Sequence, residues 1–196
     1  MPERRSSGFD SNLRLYAQMQ PDAASLAHLL SLRQSVQAPA RPVPRHQLHL
    51  TLIHFGKVLD VYRIISAQTG IELPAYKQLL TGYIARTEKL LPADSFRLEP
   101  AGFAGFGARG TTLVVEYLPS PEITALHREL YAVLAGFLAD CGVEDTASFM
   151  ASDPNFMFAS QLRPHITLAR GYSGALPAVP LESVTLKPMP VVYPVH

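Results

Sequence analysis

The apolar positions of this chain recur in two rhythms. Over 13–20, "LRLYAQMQ", Leu13, Leu15, Ala17 and Met19 alternate with Arg14, Tyr16, Gln18 and Gln20. Period two predicts a strand with one buried face. Pro21 then opens a stretch where Leu26, Leu29, Leu30, Arg33 and Val36 recur at helical spacing, predicting a helix over about 21–37. After the stiff connector "APARPVPR", alternation returns over 47–55. Leu48, Leu50 and Leu52 take one face of that strand and His49 and Thr51 the other, and by the same parity His54 falls opposite His49. Residues 57–69 fit a helix through Val58, Val61 and Ile65, and fit extended chain through "YRII".

Tyr76, Leu79, Leu80, Tyr83 and Ile84 predict a helix from Pro74 to about Leu91. "SFRLEPAGFAGFG" and "TTLVVEYLP" read as two strands around the turn "GARG". The clearest helix is "SPEITALHRELYAVLAGFLADCG", with Ser120 as cap, Pro121 in the first turn and Gly142 after the end. A polar loop over 143–160 leads to the strand "LRPHITLARG", and the prolines of "SVTLKPMPVVYP" suit a strand at a sheet edge. This order predicts α+β layers, helices packed on mainly antiparallel sheet. Residues 1–11 read as a disordered tail and 12–196 as one domain.

Composition narrows the class. A chain of 196 residues that is 47% hydrophobic and 17% charged is globular, large enough for one domain or two lobes sharing a core. No apolar run approaches the roughly 18 residues that span a bilayer. The start "MPERRSSGFDSN" lacks the apolar centre of a signal peptide, so no export signal is expected. Cys141 is the single cysteine, which excludes an internal disulfide and a multi-cysteine metal site. Both features favour the cytoplasm. A net charge of +1 argues against coating a duplex, and directs any nucleic-acid role to an end or a single nucleotide. A monomer with no membrane and no obligate protein partner is expected.

The chemistry lies in a repeated pattern. "LHLTLIHFG" carries His49 and Thr51 on one strand face, and "RPHITLAR" does the same with His165 and Thr167. One His-x-Thr pair is ordinary in a half-buried strand; two with matched apolar neighbours, each after a strand and a helix, suggest two similar halves facing a shared cleft. Imidazoles titrate near pH 6.5, so one can be neutral and accept a proton from water while the other is charged and gives one to a leaving alkoxide. Each threonine, two residues on, can donate to a phosphoryl oxygen. Such a set suits in-line attack on a phosphodiester, above all a strained 2′,3′-cyclic one. It needs no metal and no cofactor. Motifs for other chemistries (a phosphate-binding P-loop, H-E-x-x-H, a nucleophile elbow) are absent from the chain. "GFAGFGARG" is read as a hairpin between strands.

With "HLTL" at 49–52 and "HITL" at 165–168, the chain resembles the 2H phosphoesterases, and among them the LigT-like RNA 2′,3′-cyclic phosphodiesterases, also called 2′-5′ RNA ligases. "LRLYAQMQP", "FRLEPAGFAGFGARG" and "PHITLAR" extend the likeness over roughly 12–193. The resemblance implies a bilobal, pseudo-twofold α+β fold, two mainly antiparallel sheets lining a central cleft with helices outside. It implies hydrolysis of cyclic phosphate ends of RNA or nucleotides, with the reverse joining of 2′-5′ ends, or mere binding of such ends, as alternatives. His49, His165, Thr51 and Thr167 take the catalytic positions. An Arg commonly follows the family's second His by five, where Arg170 stands, either on phosphate or in a surface ion pair. An aromatic follows the first His by five, where this chain has His54 and then Phe55; one of these two is expected to pack on base or ribose. Tyr16, on the polar side of the first strand, either stacks on a base or borders the core. His46 is read as a solvated loop residue, and His28 and His127 as structural groups on helices.

Overall fold

A computed structural model describes residues 13–36, 39–189 and 192–194. The expected tail over 1–11 lies outside these residues. In chain order the elements are β1 (Leu13–Pro21), α1 (Ala23–Ser35), β2 (Arg41–Pro42), β3 (Leu50–Lys57), α2 (Val58–Thr69), α3 (Leu73–Leu90), β4 (Phe96–Leu98), β5 (Pro100–Phe106), β6 (Thr112–Tyr117), α4 (Pro121–Asp140), α5 (Thr146–Ser152), β7 (His165–Arg170), β8 (Val184–Met189) and β9 (Val192–Pro194). All strand pairs are antiparallel, in the order β4-β8-β1-β3-β7-β6-β5, with β2 beside β7 and β9 beside β1.

Capping explains where the helices begin and end. Asp22 accepts the Ser25 N–H at 2.8 Å and starts α1 two residues later than its apolar period suggests; residue 37 lies outside the described residues. Ser120 accepts the Ile123 N–H at 3.3 Å and Pro121 opens α4, as read from sequence. The ambiguous stretch 57–69 is helix. Val58, Val61 and Ile65 are buried on one side, and Gly70, at φ 72°, closes it in the left-handed region that favours glycine.

Three extended stretches differ from their sequence reading. Residues 45–47 form a 3₁₀ turn, so the strand expected over 47–55 begins at Leu50 and His49 stands just before it. The strand expected through "FRLEPAGF" divides at Glu99 into β4 and β5, which occupy opposite ends of the strand order. With one residue between those ends, the sheet has to curl back on itself. Short strands joined through Glu99 permit that bend, and alternation alone carried no sign of it. The last strand is two, β8 and β9, and the loop over 143–160 contains α5.

The two sheets expected from the resemblance are halves of one nine-stranded sheet. They join where β3 meets β7. Helix α4 packs on β3 and α3, and α1 on β7, β1 and β8. Beneath β3 an aromatic cluster fills the core: Phe55, 1% exposed, lies 5.3 Å from Tyr83 and 5.7 Å from both Phe137 and Phe156, ring centre to ring centre. Phe55 is therefore a core residue, and its expected role on base or ribose is overturned. Phe55→Ala is expected to cost about 3–5 kcal/mol, the usual loss for a buried aromatic. Urea unfolding measures it, and a loss below about 1 kcal/mol would contradict this packing.

Candidate active site

Strands β3 and β7 meet at a single ladder pair, Leu50 beside Ile166, both fully buried. Continuing that antiparallel register by one residue each way places His49 across from Thr167, and Thr51 across from His165. An approximate twofold axis thus passes through the Leu50–Ile166 contact. Each motif's histidine faces the other motif's threonine, on the side of the sheet away from the leucine core.

Beyond the threonines both strands depart from simple alternation, and at the same place. Opposite β1, Gln18 pairs with Thr51 but Ala17 pairs with Ile53, so Leu52 is an extra residue. Opposite β6, Val114 pairs with Thr167 but Leu113 pairs with Ala169, so Leu168 is extra. Each irregularity lets two successive apolar side chains be buried, Leu52 with Ile53 and Leu168 with Ala169. It also reverses parity. His54 therefore shares the face of His49 and Thr51, not the opposite one that strict alternation required. Arg170, its counterpart in the second half, shares the face of His165 and Thr167.

The surroundings of the histidines differ. Burial pushes the His49 imidazole below its ordinary value, and nearby His165 adds to this; the His46 carbonyl works the other way. Nδ1 of His49 is buried without a hydrogen-bond partner. His165 donates from Nδ1 to the Arg163 carbonyl oxygen at 2.7 Å, which leaves Nε2 free. Its ring lies 4.6 Å from that of Phe106, over which the Arg163 guanidinium stands at 4.1 Å. Glu116 holds that guanidinium through Nε at 2.5 Å. His54 donates from Nδ1 to the Asn155 carbonyl at 3.1 Å and meets Tyr16 edge-on, ring centres 5.0 Å apart. Burial lowers the His54 value, the Asn155 carbonyl opposes this, and Arg14 adds to the lowering.

A cleft of about 630 Å³ opens on this face, with Thr51, His54 and His165 among its lining residues. Tyr16 is not among the lining residues; it packs on His54 and stands 6.3 Å from His49, ring to ring. Arg170 is exposed, and neither it nor His49 nor Thr167 is among the residues that line the cleft. The walls come from residues that periodicity does not single out. Phe106 stands between two glycines at the end of β5, Arg163 just precedes the Pro-His of the second motif, and Asn155 and Phe158 lie in a segment without pattern. A smaller hollow of about 380 Å³ beside α4 contains His127 and Arg128 and none of the motif residues. His28, on α1, accepts the Glu182 N–H, a structural contact. Among the described residues no three His, Cys, Asp or Glu side chains are grouped to hold a metal, and no helix is long and apolar enough to cross a membrane.

The 2′-5′ RNA ligase superfamily model matches residues 21–178. The chain belongs to this superfamily. Solved structures extend the likeness over nearly the whole of this superfamily member. TT0787 of Thermus thermophilus is 23% identical, covering 93% of this chain and 84% of its own, with a TM-score of 0.50. E. coli LigT with 3′-AMP is 19% identical, covering 92% and 96%, TM-score 0.51. A further phosphoesterase is 19% identical, covering 91% and 96%, TM-score 0.53. At such identities the shared property is the fold, the α+β 2H phosphoesterase arrangement. Comparison with curated proteins finds no match in sequence.

The buried histidines couple stability to pH. His49, His54 and His127 each have a value lowered chiefly by burial. Below about pH 6.5 the unfolded chain binds protons that the folded chain does not, so stability falls as pH drops through that range. Urea midpoints at pH 7.5 and 5.5 should differ in that direction, and His127→Gln should reduce the difference. Equal midpoints would contradict the burial of neutral imidazoles.

Proposed function

We propose that this protein is a phosphodiesterase that hydrolyses 2′,3′-cyclic phosphates at RNA ends or on nucleotides, without a metal ion. The observation that carries this reading is the crossed pairing of two His-x-Thr motifs about the Leu50–Ile166 contact. That register sets two imidazoles and two hydroxyls on one face of the sheet, Thr51 and His165 of them lining the cleft, and supports a reading as in-line displacement at phosphorus. E. coli LigT, of the same fold, has been solved with 3′-AMP, a ribose phosphomonoester and so of the chemical class this reaction would produce. Residues 12–196 act on this reading as one bilobal unit, and its partners are RNA ends or nucleoside cyclic phosphates.

His49 is the base, since burial favours its neutral form. It takes a proton from the water whose oxygen bonds to phosphorus. One ring P–O bond breaks, and His165 gives its proton from Nε2 to the leaving ribose oxygen. Thr51 and Thr167 donate to the non-bridging oxygens as charge builds on them. The product is a phosphomonoester, and the proton held by His49 returns through solvent to His165. Joining 2′-5′ ends is the same displacement with a 5′-hydroxyl in place of the water: its oxygen bonds to phosphorus as the ring P–O bond breaks, and in dilute solution water outcompetes it.

³¹P NMR of the protein with nucleoside 2′,3′-cyclic phosphates tests the reading: the cyclic ester signal should give way to a monoester. His49→Ala and His165→Ala should each lower turnover about 10²–10⁴-fold, and near-wild-type rates in either would remove the two-histidine mechanism. The rate should follow a bell-shaped pH profile, its acid limb centred below about 6.5 because burial depresses the His49 value. Loss of His49 should flatten the acid limb and loss of His165 the alkaline one; a rate rising steadily through pH 9 would exclude a protonated acid. Prolonged EDTA treatment should leave the rate unchanged, whereas a loss restored by a divalent ion would assign the chemistry to another class.

A further inference from the structure

Segment 153–163 forms one wall of the cleft and is held together by its own hydrogen bonds. Asp153 accepts the Asn155 N–H on its carboxylate at 2.7 Å, and its carbonyl accepts from Phe156 and Met157 at 3.0 and 2.8 Å. The Phe156 carbonyl accepts from Ala159, and that of Phe158 from Gln161. Two further contacts bind the segment to β3. The Asn155 carbonyl accepts from His54, and the Asn155 side chain occupies the space a Cβ at Gly56 would need, with Oδ1 2.6 Å from that position. Gly56, at φ 92°, also holds a backbone conformation that favours glycine.

Two aromatic side chains of this wall point opposite ways. Phe156 is buried beneath β3 against Phe55, as an anchor. Phe158 lines the cleft and is 71% exposed, more than any other large apolar side chain among the described residues. Folding does not need Phe158, and no ring partner among the described residues covers it. The facing aromatic, Phe106, is different: the Arg163 guanidinium covers it and His165 packs against it. Within the cleft, then, one aromatic ring is engaged in holding His165 and one is held firmly with its surface free.

We propose that Phe158 is the base-stacking residue of this site, and that the substrate is consequently a single nucleoside 2′,3′-cyclic phosphate or the unpaired 3′ end of an RNA. This rests on the hydrolysis reading above and narrows it. A cleft of about 630 Å³ lies in the roughly 300–1,000 Å³ range of small-ligand sites, too small for a duplex. A free aromatic surface accepts any base, because every base has a π-face. The wall carrying it is fixed to the strand that bears Thr51, so the distance from base to phosphate is set by the fold. Stacking far from phosphorus is equal in ground and transition states, so it lowers KM and leaves kcat alone.

The test compares adenosine 2′,3′-cyclic phosphate with glycerol 1,2-cyclic phosphate, which has the same five-membered ester ring and no base. Phe158→Ala should raise KM for the adenosine ester about 5- to 150-fold, the worth of one base–aromatic stack, with kcat nearly unchanged. It should leave the glycerol ester unaffected, and Phe158→Tyr should behave as wild type. No change with the nucleotide, or an equal loss with both esters, overturns the proposal. Calorimetric binding of 3′-AMP separates this from the hydrolysis reading. If wild type opens neither ester, the hydrolysis reading fails, while weaker 3′-AMP binding by Phe158→Ala still upholds the stacking site. Equal binding by the two proteins, or none by either, overturns it.

Discussion

Leu50 and Ile166 touch across the one ladder pair that joins the halves of the sheet, and the geometry of the whole site follows from their register. Directly paired residues in an antiparallel ladder stand about 4.5–5.5 Å apart at Cβ, and their neighbours alternate between faces. Burying these two side chains, each worth about 1.5–3 kcal/mol, therefore also puts two histidines and two threonines together on the other side. A slip of one residue would turn one motif into the core and strand its leucines in the cleft. The cost of that error selects the register. No interaction among the polar groups themselves has to do so.

The same competition for burial explains the two irregularities. A strand bordering a thick aromatic core gains by burying two adjacent apolar side chains, and an extra residue in the ladder permits it. Leu52 with Ile53, and Leu168 with Ala169, do this in symmetric positions. The polar consequence is that the residue five after each motif histidine returns to the motif's face. Where the resembling family has an aromatic, this chain has His54, and it uses the imidazole as a donor to Asn155. Its ring edge against Tyr16 supplies the packing, and its N–H ties the cleft wall to β3. Phe55, one residue later, is left to the core.

The asymmetry of the two motif histidines comes from their environments. His49 stands between the 3₁₀ turn and β3, half-enclosed, with Nδ1 unpaired. His165 begins β7 with Nδ1 tied to a carbonyl and its ring beside Phe106. Desolvation favours the neutral imidazole, while a fixed N–H donor leaves a single nitrogen to face a reactant. Two copies of one short motif thus stand in unlike surroundings.

Much of this protein was legible as sequence. Capped, periodic helices such as α4, the alternation of β1 and the doubled His-x-Thr were each local patterns, and local patterns survive folding when burial agrees with them. The repeat implied two halves meeting at their motifs, and the two motif strands do lie side by side at Leu50 and Ile166. Tertiary structure alone decided the rest: the split of β4 from β5 to opposite ends of one curled sheet, the extra residues in β3 and β7, the burial of Phe55, and the wall that carries Phe158. These depend on contacts between segments far apart in the chain. Parity, for instance, changes when a strand finds a second apolar partner across the core, and nothing within the strand's own residues records that. Asn155 is the plainest case, since its role depends on Gly56 and His54, about a hundred residues away.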